Sequence, residues 1–142
     1  MKLSVTTNAE LVRQGLENLS LEIPKIGRNQ IWKAMQSVLK KRKVYPPKRR
    51  NQKYVRTGRL GKGWSIGKAD GAKDGYRISN EVPYTKYVAG DAYGGSQAWM
   101  HISTDQGKRW DLTRDLVEDE MLTLPQAIQD EIDIVARRER LV

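Results

Sequence analysis

Gly63-Trp64-Ser65-Ile66-Gly67-Lys68-Ala69-Asp70-Gly71-Ala72-Lys73-Asp74-Gly75-Tyr76-Arg77-Ile78-Ser79 is the stretch whose pattern sets the fold class. Trp64 and Ile66 alternate with Ser65, and Tyr76 and Ile78 alternate with Arg77 and Ser79, so each run presents one apolar face with a period of two. Two such runs joined by turn formers predict an antiparallel β-hairpin over about residues 62–80. Asp70-Gly71 and Asp74-Gly75 are both turn pairs, and the sequence leaves open which of them makes the tip.

On either side of this hairpin the period is helical. Thr7-Asn8-Ala9-Glu10 matches a capping box ahead of Leu11, Val12, Leu16 and Leu19, which predicts a short first helix. Pro24 then opens a second, longer helix through Ile31, Met35, Val38 and Leu39, ending near Lys43 because Pro46 and Pro47 cannot continue it. Beyond the hairpin, Pro83-Tyr84-Thr85-Lys86-Tyr87-Val88 suits a helical turn or an irregular strand, and Gln97-Ala98-Trp99-Met100-His101 a strand or packed loop. From Asp111 a helical pattern runs through Leu112, Leu116 and Glu120. Pro125 interrupts it and starts a terminal helix carrying Ile128, Ile132, Val135 and Ala136. The fold class is α+β, with N-terminal helices, a small antiparallel sheet built on the hairpin, and one or more C-terminal helices. At 142 residues the chain is expected to form a single domain, with a basic extended loop or arm over about 44–58 and a Gly-rich loop over about 89–97.

Charge is unevenly placed along this frame. Between Glu22 and Asp70 there are fifteen Lys and Arg and no acid, whereas residues 105–142 carry a net −4, within a total of +9. The densest part is Lys40-Lys41-Arg42-Lys43, then Lys48-Arg49-Arg50. Three readings compete: neutralisation of phosphates, docking on an acidic protein surface, or a solvated loop that aids solubility. Lys40 to Lys43 also sit where positive charge favours a helix C-terminus, so part of the cluster has a local structural reason.

Several chemistries are excluded or disfavoured. There is no cysteine, hence no disulfide scaffold, thiolate metal site or thiol catalysis. His101 is the only histidine, and none of Ser65, Ser79, Ser96 or Ser103 lies in a G-x-S-x-G elbow, so the expected role of His101 is packing or capping. Asp115 and Asp119 share a helix face and suit a hard cation, but a solvated acidic face near a helix N-terminus is the preferred reading. Gly58-Arg59-Leu60-Gly61-Lys62-Gly63-Trp64-Ser65 fails the phosphate-loop pattern, since Trp64 stands where Lys is required and a strand follows. It also misses the dinucleotide fingerprint. Its glycines are expected to turn the chain into the first strand. Tyr45, Tyr54 and Trp64 lie among the cations and suit base stacking, yet no known nucleic-acid-binding spacing accompanies them. No stretch approaches the roughly 20 apolar residues of a membrane span, and Met1 to Leu11 lacks a signal peptide's apolar run, so a soluble, unexported protein is expected.

Taken together, several segments resemble one family. Tyr54-Val55-Arg56-Thr57-Gly58-Arg59-Leu60 followed by Trp64-Ser65-Ile66 is similar to the V-x-T-G-x-L-x-x-S element that leads into the hairpin of small phage tail-component proteins. These are also called tail-completion, neck or head–tail joining proteins. A basic helix and prolines ahead of that element, as at Lys40 to Arg50, and a Y-A-x-Y-V-x-x-G element, as at Pro83 to Gly90, resemble the same family, as does the segment Gln97 to His101. The similarity spans about residues 25–140; the helix broken by Pro125 and the longer 89–97 loop depart from it. The resemblance implies a structural protein and not an enzyme, with no cofactor and no metal. Such a protein forms a ring, commonly six- or twelve-fold, at the neck or tail of the virion after assembly in the host cytoplasm. Its expected partners are its own copies, the portal–adaptor and tail proteins, and the DNA passing through the channel, but no membrane. The residues expected to make assembly or phosphate contacts are Lys40, Lys41, Arg42, Lys43, Lys48, Arg49, Arg50, Lys53, Arg56 and Arg59. The alternative is a basic nucleic-acid-binding protein, and after it a small nuclease.

Overall fold

A computed structural model of the chain describes residues 8–45, 57–73, 75–85 and 113–141. In chain order it contains α1 (Asn8–Lys43), α2 (Arg59–Lys62), β1 (Trp64–Lys68), β2 (Tyr76–Asn80) and α3 (Thr113–Arg138). The class is α+β, as the periodicities require. β1 and β2 pair antiparallel with Trp64 opposite Asn80, Ile66 opposite Ile78 and Lys68 opposite Tyr76. Ile66 and Ile78 are therefore cross-strand neighbours on the face that also carries Trp64, while the Ser65 and Ser79 hydroxyls meet on the other at 3.4 Å. At the tip, the Ala72 N–H points to the Ala69 carbonyl at 3.5 Å and Gly71 takes a φ of 75°. That is the left-handed position of a type II turn, so the Asp70-Gly71 pair turns the chain here.

The two predicted prolines act differently from the expectation. α1 runs unbroken through Pro24, so the short first helix and the longer second one are a single helix; α3 likewise contains Pro125. A proline removes one helical N–H and strands the carbonyl four residues earlier. Pro24 and Ser20 are both exposed, so the freed Ser20 carbonyl is open to water, and packing on both sides of the site holds the helix together. The end of α1 at Lys43 is as predicted. Of the predicted arm over about 44–58 only residues 44–45 and 57–58 are described, and of the predicted segment 83–88 only 83–85. The Gly-rich loop over about 89–97, the segment 97–101 and the start of the last helix pattern at Asp111 lie outside the described residues.

The chain divides into two compact units, residues 1–31 with 123–142 and residues 32–122. In the first, Ile26 of α1 and Val135 and Ala136 of α3 are buried, and the Gln30 amide donates to Glu131 at 3.0 Å. α3 closes with a Schellman cap: the Leu141 N–H reaches the Ala136 carbonyl at 2.9 Å and the Arg140 N–H reaches Arg137 at 3.1 Å, with Arg140 at a φ of 58°. Leu141 then seats on Gly15, where a β-carbon would stand 3.0 Å from its Cδ2. In the second unit the buried apolar residues are Ala34, Met35, Val38, Leu60, Trp64, Val82 and Leu116. Trp32 of α1 stacks at a tilt on Tyr76 of β2, with centroids 5.2 Å apart.

Candidate docking site at the lead-in to the hairpin

Among the described residues, the cations singled out from the sequence divide into two groups. Lys40 and Lys43 are exposed in the last turn of α1, and Arg59 is exposed at the start of α2. Lys41 and Arg42 are engaged within the second unit. Lys41 Nζ lies 2.8 Å from Glu120 Oε1, which also accepts from the Ser37 hydroxyl at 2.5 Å. Hydrogen bonds from Lys41 and Ser37, and the Lys41 charge, hold the Glu120 carboxyl below its ordinary value.

Arg42 is turned inward and is only 1% exposed. Its guanidinium carbon sits 4.5 Å above the centre of the Trp64 ring, and its Nε donates to the Thr113 hydroxyl at 2.8 Å. A planar, delocalised cation is suited to that place, because it stacks on an aromatic face and donates in plane at the same time. The Trp64 indole N–H is buried and finds no acceptor among the described residues. The ring's burial and the guanidinium above it offset that deficit. Lys48, Arg49, Arg50, Lys53 and Arg56 lie outside the described residues.

Around α2 and the start of β1 the chain builds an open groove of about 500 Å³, lined by Thr57, Arg59, Lys62, Gly63, Glu81 and Val82. Its shape follows from what the glycines allow. A β-carbon on Gly63 would lie 2.6 Å from Asn80 Oδ1 and 2.7 Å from Val82 Cγ2, and one on Gly61 would lie 2.9 Å from the Tyr45 ring. With hydrogen there instead, the Gly61 N–H donates to the Tyr45 hydroxyl at 3.0 Å, and Leu60 packs with Val82 and Tyr45. Asn80 fastens the far wall: its amide donates to the Leu60 carbonyl at 2.8 Å, and its Oδ1 accepts from the Val82 N–H and the Thr85 hydroxyl, each at 2.9 Å. The result is an apolar floor at Val82 under a rim bearing Arg59, Lys62 and one acid, Glu81. The rim suits carboxylates, and Val82, 7% exposed, leaves a small apolar surface beneath it.

No family model, curated protein or solved structure matches this chain. The groove's assignment therefore rests on its own chemistry. Lys62, Val82 and Asn80 were not singled out from the sequence as site residues, and Tyr45, read there as a base-stacking candidate, instead packs on Leu60 and accepts from the Gly61 N–H. Among the described residues no three metal-ligating side chains converge, and Asp115 and Asp119 lie on an exposed helix face with Arg114 3.2 Å from Asp115. His101 lies outside the described residues. No described helix is long and apolar enough to cross a membrane.

Proposed function

We propose that this chain is a structural phage virion protein that forms a ring at the head–tail junction and joins the portal–adaptor complex to the tail around the DNA channel. The observation that carries this reading is the Thr57-Gly58-Arg59-Leu60 element. It buries Leu60, leaves Arg59 exposed and leads through Gly63 straight into β1, with the exposed Lys40 and Lys43 ending the helix before the arm. The order of long helix, hairpin and C-terminal helix is the order that the resemblance to tail-component proteins implies. In this reading the chain does no chemistry; it docks, through its cations, on acidic surfaces of neighbouring subunits or connector proteins. Quantitative peptide mass spectrometry on gradient-purified particles tests it. Roughly six or twelve copies per particle are expected for a closed ring. Absence from clean particles would overturn the reading and turn attention to duplex binding and nuclease assays.

A further inference from the structure

The α3 residue Leu122 is 81% exposed, the most exposed of the large apolar side chains described. Glu118 and Asp119 stand one turn before it, Asp115 two turns before it and Gln126 one turn after it, all exposed on the same side of the helix. Leu122 interrupts a polar helix face whose acids Asp115 and Glu118 lie 3.2 and 3.7 Å from Arg114, with Asp119 beside them. The groove beside β1 offers the complementary features, an apolar floor at Val82 and the cations Arg59 and Lys62 on its rim.

We infer that Leu122 of one copy docks in the groove of a second copy, with Glu118 and Asp119 against Arg59 and Lys62. Helix face and groove are different surfaces of one chain, so the contact is head-to-tail and propagates from copy to copy until a ring closes. Glu81 on the rim sets the register, because it repels a carboxylate brought too far across the groove. A single knob with two charge pairs is small for a stable dimer, so the contact is weak between two copies and gains strength when the ring closes. This inference rests on the ring reading only for the closure.

The absence of cysteine makes the test clean. Thr57→Cys on the groove rim and Gln126→Cys beside Leu122 are made in separate full-length preparations, mixed, and treated with a thiol oxidant. The mixed 57–126 disulfide is expected to form roughly tenfold faster than either same-residue dimer. It should fall to the statistical level in about 1 M salt, where screening shortens to about 3 Å. Leu122→Ser in the Gln126→Cys protein should abolish the preference. Glu118→Lys with Asp119→Lys should do the same, and Arg59→Glu with Lys62→Glu in the partner should restore it. All these positions are exposed, and circular dichroism checks each variant. A statistical distribution, a dominant 126–126 dimer, or indifference to Leu122→Ser would overturn the inference. A trapped contact in a protein absent from particles would instead remove the phage reading and leave self-association standing.

Discussion

Arg42 is held between the Trp64 ring and the Thr113 hydroxyl, so its removal acts on the fold before it acts on any partner. Arg42→Ala is expected to lower unfolding stability by about 2–4 kcal/mol through lost packing and cation–π attraction. The exposed neighbour change Lys43→Ala should stay within about 0.5 kcal/mol. Urea titration of both variants checks the contrast, and equal midpoints would refute it. Arg140 gives the opposite sign: a left-handed non-glycine residue is strained, so Arg140→Gly should raise stability by about 1 kcal/mol, read by the same titration. The inward turn of Arg42 was legible in principle, since Ile31, Met35, Val38 and Arg42 continue one 4-3-4 spacing along α1. Charge pulled the reading of that residue toward its lysine neighbours. The cap at Arg140 had no such signal, because nothing in Arg-Leu announces a left-handed turn.

Among the elements, the hairpin was the most legible: the alternation of Trp64, Ile66, Tyr76 and Ile78 fixes its inner face, while the register depends on the turn at Asp70-Gly71, which the sequence left open between two candidates. The helices were legible in extent but not in continuity. Local rules count the hydrogen bond lost at Pro24 and cannot see that water and tertiary packing make up for it. Pro24→Ala should therefore stabilise α1 by about 1–2 kcal/mol, the regained helical bond being partly cancelled by a freer unfolded chain; a lowered thermal midpoint would contradict this. The tie of Glu120 to Lys41 and Ser37 makes another element-scale prediction. A carboxyl whose folded value is depressed stabilises the fold above its ordinary value of 4.5, and that contribution disappears as pH falls through the folded value. Acid titration of unfolding stability should thus show a loss below pH 4.5 that is smaller in Glu120→Gln.

For the whole molecule, the decisive feature is that basic and acidic surfaces belong to different stretches of one chain. The sequence displayed that asymmetry directly, as fifteen cations between Glu22 and Asp70 and a net −4 after residue 104. It did not display the groove, which needs Gly63, Asn80 and Val82 brought together by the hairpin. Neutralising Lys48, Arg49 and Arg50 together is expected to block particle assembly while circular dichroism remains unchanged. Normal particle yield from that triple variant would sink the docking role of the arm.

The seat of Leu141 on Gly15 also governs when the molecule is able to fold. Asn18 finds its partner Glu139 a full 121 residues later, and Gln30 waits 101 residues for Glu131. At roughly 5–20 residues per second, a ribosome needs on the order of ten seconds to make that much chain. Throughout that interval Ile26, which is buried in the folded first unit, has no α3 to pack against. The first unit is thus begun first and completed last, and a nascent chain stalled before residue 123 presents a greasy N-terminal helix to whatever chaperone is nearest.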